Sequence, residues 1–234
     1  MMVEGGQVDW SCHGHNAAAA VGETIGLDNA VAAAMDFYRQ HPEDTLIIVT
    51  ADHETGGMTL GSTGAAKYDL LLGELQKQTS GGGEMNAKIK EWREANTPLE
   101  EAIPTIEAIY GLTDLSEKEL AKLQKAYTLS MENLPSKGRD EYTYTLYAGS
   151  DPLIMTCQHL VGLRAGIGWT TYSHTGTPVP TSAIGPGCSL FDGYYDNTDI
   201  PRNILKAMGL DPAELKPVPV YTPTIQPAAK AVAY

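Results

Sequence analysis

Carboxylate and imidazole side chains follow three apolar segments of this 234-residue chain. Asp9 and His13 are four residues apart, so on a helical turn they would share a face and could bind one cation. Asp52 and His53 are adjacent and come directly after an apolar run, where a strand that breaks into a loop lets both side chains turn toward one ion. The full set of candidate metal ligands is Glu4, Asp9, His13, Asp52, His53 and His174.

This donor set mixes oxygen and nitrogen atoms and contains no thiolate, which is typical of catalytic zinc sites that keep a position open for substrate. Each residue also has a structural interpretation. Asp52 could cap a turn, His174 could hydrogen-bond a carbonyl group in the core, and an Asp-x-x-x-His pair often occurs by chance. Spacing alone therefore predicts a metal site of unknown reaction.

The neighbouring segments indicate how these side chains are brought together. Residues 1–4 resemble the end of a strand, and residues 45–50 (TLIIVT) form a run typical of a strand buried on both faces. Between them, apolar residues from Leu27 to Tyr38 follow helical spacing and predict a helix that ends before His41. We therefore predict an α/β fold, a mostly parallel sheet flanked by helices, with functional groups at the carboxyl ends of its strands.

A central segment differs in composition, since Lys and Glu are abundant there and helical periodicity replaces the buried-strand pattern. In it, Ser116 and Glu119 form the pattern of a capping box ahead of an apolar helical face. The last residues are rich in proline and are expected to form a loosely attached tail. We predict one α/β domain formed by residues 1–62 together with 149–211. A mainly helical insertion is predicted at residues 63–148, and a C-terminal tail at residues 212–234.

Charge and hydropathy exclude two classes of function. Asp and Glu (29) outnumber Lys and Arg (16), and the net charge of −13 would repel a nucleic-acid backbone. No apolar run approaches the roughly 20 residues that a membrane span requires. The first residues (MMVEGGQVDW) lack the basic and apolar regions of a signal peptide, so we predict no export signal in this chain.

Three strings carry a resemblance to a known family. They are MVEGGQVDWSCHGHN, VTADHETGG after the buried run, and YSHTGTPVP later in the chain. In content and order they resemble the metal-binding segments of alkaline phosphatases. The resemblance covers residues 1–62 and continues from about residue 150 to residue 211, leaving the middle insertion outside it.

The resemblance implies a role for each candidate ligand. Asp9, His13 and His174 match the three protein ligands of a first zinc ion, which activates water or the leaving-group oxygen. Asp52 and His53 match ligands of a second zinc ion, which binds the oxygen of the nucleophile.

Glu4 matches a ligand of a neighbouring magnesium ion. In this family the two zinc ions hold the attacking and leaving oxygens of an in-line displacement at phosphorus, and a serine nucleophile forms a phosphoserine intermediate that is then hydrolysed. The implied activity is the metal-dependent hydrolysis of phosphate monoesters. The resemblance also implies a homodimer and a periplasmic or extracellular location for the parent protein.

The family's nucleophile lies in an Asp-Ser-Ala segment upstream of the strings quoted above, together with a phosphate-binding arginine. The 234 residues contain no Asp-Ser pair. We therefore expect this chain to correspond to the carboxyl-terminal half of an alkaline phosphatase, with no catalytic nucleophile of its own. We further expect at most one well-occupied zinc site and little or no turnover by this chain alone.

Two other functions stay open at this point. A phosphodiesterase or sulfatase of the same superfamily would share the two-metal core, and a noncatalytic zinc-binding or assembly module would keep the zinc site as a structural element. A zincin metalloprotease is excluded, because its helix needs a second histidine where this chain has Gly57. His15 matches no ligand position, and we expect it to face solvent or to support a ligand.

Overall fold

The computed structural model describes residues 1–63, 69–135, 139–211 and 213. The helices of these residues are α1 (Gly6–His13), α2 (Ala17–Gln40), α3 (Gly82–Ala95), α4 (Leu99–Tyr110), α5 (Glu117–Glu132), α6 (Glu141–Tyr147), α7 (Pro152–Ala165) and α8 (Asp199–Ala207). The strands are β1 (Ile47–Val49), β2 (Glu54–Thr55), β3 (Thr59–Leu60), β4 (Ile167–Gly168), β5 (His174–Thr175) and β6 (Ser182–Ile184). Short 3-10 helices lie at Leu72–Lys77 and Cys188–Phe191.

Local sequence signals account for the ends of several helices. The predicted helix before His41 is confirmed as α2, which ends at Gln40 because the residue before a proline avoids the helical region. The predicted capping box is also confirmed: the Ser116 side chain accepts from the Glu119 backbone, and the Glu119 side chain accepts from the Ser116 backbone. Helix α7 begins after Asp151, whose side chain accepts from the backbone N–H groups of Leu153 and Ile154, and it ends before Gly166.

The larger of two compact units comprises Met1–Phe37 and Thr50–Pro180, and its core is built around α7. Helices α3, α4, α5 and α6 each contact α7, which is therefore buried on every face. Its residues Leu153, Met155 and Cys157 are completely buried. Each such apolar side chain contributes roughly 1.5–3 kcal/mol through its removal from water. This core anchors the segment that follows α7.

The other unit comprises Tyr38–Val49 and the described residues from Thr181 onward. In it, β6 contacts both β1 and the 3-10 helix at Cys188–Phe191, which also contacts α8. Phe191 is its buried aromatic residue. The predicted division into a domain, an insertion and a tail stays a prediction, and apart from Ala213 the predicted tail lies outside the described residues.

The mostly parallel sheet is not confirmed. The described strands form three separate two-stranded sheets, β1 with β6, β2 with β5 and β3 with β4, and each pair is antiparallel. Residues 1–4, predicted as the end of a strand, are not in a strand. Within residues 167–173 only Ile167–Gly168 is part of β4, since the chain then turns back toward the loop after β2.

Among the described helices, none combines the length and the apolar composition that crossing a membrane would require.

Candidate metal centre

Two pieces of secondary structure carry most of the predicted ligands. Helix α1 places Asp9 and His13 on one face, one turn apart, as their spacing predicts. The β2–β5 pair aligns Thr55 with His174, so a histidine from late in the chain is brought beside the segment that begins at His53. All of these residues belong to the larger unit.

Asp9, His13 and His174 form a compact group of ligand atoms. His13 Nε2 lies 3.4 Å from Asp9 Oδ2, and His174 Nε2 lies 3.7 Å from Asp9 Oδ1. The two Nε2 atoms are 3.2 Å apart. Zinc bonds of about 2.0–2.1 Å at tetrahedral angles separate neighbouring ligand atoms by about 3.3 Å. Each measured separation is therefore close to that of two neighbouring ligands of a tetrahedral ion, and the two histidines face different oxygens of the Asp9 carboxylate.

Hydrogen bonding determines which ring nitrogen of His13 faces this group. His13 Nδ1 lies 2.6 Å from the carbonyl oxygen of Tyr172. A carbonyl can only accept, so Nδ1 carries the hydrogen, and in the neutral ring Nε2 presents a lone pair. That lone pair points at a carboxylate and at another imidazole nitrogen. A ring lone pair that faces a carboxylate is the arrangement that a bound cation stabilises.

His53 is oriented in the same manner by Thr55. The Thr55 hydroxyl donates a short hydrogen bond to Asp9 and lies 3.2 Å from His53 Nδ1. Because its single hydrogen is used on Asp9, Thr55 accepts from Nδ1–H of His53. The lone pair at His53 Nε2 then faces Asp52 Oδ2 at 3.3 Å. This second separation also matches that of two ligands of one ion.

The structure brings Asp9, His13, His53 and His174 together, and Asp52 lies beside His53. Ligand atoms of Asp9, His53 and His174 lie within 4.8 Å of one another, and the rings of His53 and His174 stack at 3.5 Å. Among the described residues Glu4 is not a member of this group. It is exposed, and its carboxylate lies over the first turn of α1, close to Gly6.

The cluster is open on one side. The side chains of Asp9 and His174 are 33% and 46% exposed, and that of Asp52 is 85% exposed. A substrate could therefore approach the ligand atoms from solvent. Burial and the nearby charges of Glu54 and Asp9 raise the pKa of Cys12, on the same helix as Asp9, to about 11, so in the absence of a metal ion its thiol is protonated near pH 7.

Sequence reasoning missed three residues around the cluster. Thr55 orients His53 and Asp9. It lies two residues after His53 in the segment VTADHETGG, and in a strand this spacing would place both side chains on the same face. The Glu54 carboxylate accepts from the backbone N–H of Gly57 at 3.0 and 3.1 Å and from the Thr175 hydroxyl, which ties β2 to β5. Tyr172 contributes through its carbonyl group, for which no sequence signal exists.

His15 was expected either to face solvent or to support a ligand. It does not face solvent, so the first of these two expectations is wrong. It is 4% exposed, and its ring nitrogens lie 2.9 Å from His159 Nε2 and 2.7 Å from the carbonyl oxygen of Thr171. Burial lowers the pKa of His15, and burial together with the neighbouring His15 lowers that of His159 to about 4. Both rings are therefore neutral near pH 7.

These features define a class of site: carboxylate and imidazole ligands gathered in the manner of a divalent-cation centre. Comparison with known proteins gives the family. Residues 1–210 match the alkaline phosphatase family, and the chain belongs to it. Alkaline phosphatase 3 of Bacillus subtilis (strain 168) is 30% identical over 208 residues, which cover 89% of this chain and 39% of that protein.

More distant relatives agree. The repressible alkaline phosphatase of Saccharomyces cerevisiae is 24% identical over 188 residues, covering 76% of this chain and 30% of that protein. The structure of a cold-active alkaline phosphatase from a psychrophilic Shewanella sp. has a TM-score of 0.65 and 28% identity, covering 87% of this chain and 44% of that one. The chain thus spans well under half the length of these relatives.

Proposed function

We propose that this chain forms the metal-binding part of an enzyme that hydrolyses phosphate monoesters. The observation that carries the proposal is the convergence of Asp9, His13 and His174, whose ligand atoms lie 3.2–3.7 Å apart with the His13 lone pair directed inward. Membership of the alkaline phosphatase family supports the reaction class.

In this proposal Asp9, His13 and His174 hold one zinc ion, and Asp52 with His53 hold part of a second zinc site. Glu4 is proposed as a ligand of magnesium. When bound, such cations supply positive charge that stabilises the transferring phosphoryl group. The chain's own residues keep the ligands ready: Thr55 and the Tyr172 carbonyl fix the histidine tautomers, and the exposed face of the cluster admits substrate.

We propose further that the serine nucleophile, which would form a phosphoserine intermediate, and the phosphate-binding arginine lie outside these 234 residues. The sequence has no Asp-Ser pair. By itself the chain would then bind about one zinc ion and turn over little substrate, because metals and binding alone supply only part of the transition-state stabilisation. A homodimer and a periplasmic or extracellular location are proposed for the parent protein by family likeness.

The test combines metal content with complementation. The zinc-loaded chain is assayed with an aryl phosphate, first alone and then mixed with the part of the Bacillus subtilis relative that this chain does not cover, with complex formation checked by sedimentation. We expect negligible turnover by the chain alone. The complex should hydrolyse the aryl phosphate, and the His13→Ala substitution should abolish this hydrolysis. A zinc-loaded complex that forms but does not hydrolyse the monoester would contradict the proposal.

The same preparations separate the other candidate functions. A phosphodiesterase or sulfatase would prefer a bis-aryl phosphate or an aryl sulfate to the monoester. A noncatalytic zinc-binding module would retain tight zinc and lack activity toward all three substrates in the complex. The Asp9, His13 and His174 geometry is common to all of these functions, so the substrate comparison decides among them.

A further inference from the structure

His15 is two residues beyond the candidate ligand His13 and is not itself one of the candidate ligands. It follows α1 by two residues and adopts a left-handed backbone conformation with φ of 52°, in which its N–H bonds to the Cys12 carbonyl. That conformation is uncommon for a residue with a Cβ, and it turns the ring inward to 4% exposure. A buried imidazole needs partners for both of its nitrogens.

The partners of His15 fix the direction of a hydrogen-bond chain. Nε2 faces the Thr171 carbonyl at 2.7 Å, and a carbonyl only accepts, so Nε2 carries the hydrogen. In a neutral ring Nδ1 is then an acceptor, and the atom that faces it at 2.9 Å is His159 Nε2. His159, on α7, therefore donates to His15, which donates to Thr171. The helix at the centre of the core is linked in this way to the segment that follows it.

The segment held by His15 is residues 169–172, which we call the clamp segment. The His15 ring stacks on those of Trp169 and Tyr172, with centroid distances of 4.8 and 4.2 Å and interplanar angles of 5° and 10°. The same segment borders a partly open pocket of about 550 Å³. His15 is one anchor of the clamp segment, and the N–H groups of Thr170 and Thr171 provide another by bonding to the Gly56 carbonyl.

The clamp segment in turn reaches two candidate ligands. The Tyr172 carbonyl, one peptide unit beyond the one that His15 holds, accepts from His13 Nδ1 at 2.6 Å. Two residues further on is His174, whose strand pairs with β2, and Gly56 N–H bonds to the Ser173 carbonyl at 2.9 Å. A shift of the clamp segment would move the acceptor that sets the His13 tautomer and the backbone that carries His174.

We propose that His15, with His159 as its donor, is a positioning residue for the metal centre. By holding the clamp segment through the Thr171 carbonyl and ring stacking, His15 keeps the His13 lone pair at Nε2 and places His174 beside Asp9. The inference rests on the metal centre of the proposed function and assigns a role to a residue pair that does not touch the ion.

The experiment measures zinc affinity by competition with a chelator, for the full chain. His15→Phe retains an aromatic ring and removes both hydrogen bonds, and we expect its zinc affinity to fall about tenfold, in the range typical for residues that orient metal ligands. His15→Gln keeps an N–H donor that can reach the Thr171 carbonyl, and it should recover a large part of the loss. His41→Phe, at an exposed histidine of the other unit, is the matched control and should bind zinc like the unmodified chain.

A second measurement separates positioning from general destabilisation. Long-range proton–nitrogen NMR spectra of the metal-free chain report which ring nitrogen of His13 is protonated. We expect the Nδ1–H form in the unmodified chain and a mixture of tautomers in His15→Phe. His159→Phe tests the same chain of hydrogen bonds from its other end and should have the same effect, so the inference stays testable if the His15 variant does not fold.

The outcomes distinguish this inference from the proposed function. An unmodified chain that binds no zinc overturns the metal centre itself. If the unmodified chain binds zinc, while folded His15→Phe or His159→Phe binds it equally tightly with His13 still in the Nδ1–H form, the positioning role is wrong.

Discussion

The Nδ1 atom of His13 lies 2.6 Å from the carbonyl oxygen of Tyr172, 159 residues further along the chain. This contact fixes the tautomer of a candidate ligand with a backbone atom, so no substitution of the Tyr172 side chain can remove the acceptor directly. It also ties the end of α1 to the segment before β5.

His13 and Asp52 should differ in their importance for zinc. His13→Ala removes one of three converging ligands and should weaken zinc binding by more than about 100-fold, beyond the usual effect of a residue that only orients a ligand. Asp52→Asn changes a side chain that is 85% exposed and should leave the tight site in place. Equilibrium dialysis with elemental analysis measures both, and two equally tight zinc ions per unmodified chain would contradict the expected single site.

The Thr55 hydroxyl should matter through its orientation of Asp9 and His53. Thr55→Val keeps the shape and removes the hydroxyl, so we expect zinc affinity to fall about 10–100-fold, with a stability loss of about 1 kcal/mol. Thr55→Ser should restore binding. Thr59→Val is the matched control, because that exposed hydroxyl donates only to the nearby Gly61 carbonyl. Equal zinc affinity in Thr55→Val and Thr59→Val would exclude the role of Thr55.

Gly57 should not tolerate a side chain. Its φ of 58° is in the left-handed region, and a Cβ there would collide with Thr170 Oγ1 in the clamp segment. Gly57→Ala should lower the free energy of unfolding by more than about 2 kcal/mol and weaken zinc binding. Gly22→Ala, inside α2 with no atom within 4 Å of the added Cβ, should instead stabilise the chain by roughly 0.5–1 kcal/mol. Urea unfolding of both variants measures the change in the free energy of unfolding, which should be negative for Gly57→Ala and positive for Gly22→Ala.

The ion pair of Glu119 with Arg164 should make stability depend on pH. Hydrogen bonds from Arg164 lower the pKa of Glu119 from 4.5 to about 2, so the unfolded chain takes up a proton at higher pH than the folded one. The stabilisation is complete above pH 4.5 and is lost as the pH falls toward 2. In metal-free protein, Glu119→Gln should be destabilising at pH 6 and clearly less destabilising at pH 2.5.

Glu132→Gln at the end of the same helix is the control for the pH experiment, since it changes an exposed carboxylate. It should have a small effect that does not vary in this manner. A Glu119→Gln effect of the same size at both pH values would show that the ion pair does not contribute through charge.

The sequence predicted those features that depend on neighbouring residues. Helix α2, the Ser116–Glu119 capping box and α7 follow from periodicity and caps within a few residues of one another. The antiparallel pairing of β2 with β5 joins segments about 120 residues apart, and short strands of two residues carry no register signal.

In the candidate metal centre, too, features set by nearby residues could be predicted and features set by distant residues could not. The ligand types and the four-residue spacing of Asp9 and His13 were readable, because both lie on one helix. The burial of His15 was not, since it depends on Thr171 and His159, which the fold brings to it from 156 and 144 residues away. Residues 1–4 are likewise not in a strand, although a strand was predicted there.

The distance along the chain between His13 and His174, 161 residues, has a consequence for synthesis on the ribosome. Asp9 and His13 are synthesised before the core helices α3 to α7, and His174 is synthesised after them. A nascent polypeptide would therefore pass through a stage in which the helical core is present and one of the three ligands is still missing. The trio can assemble only after translation has passed β5.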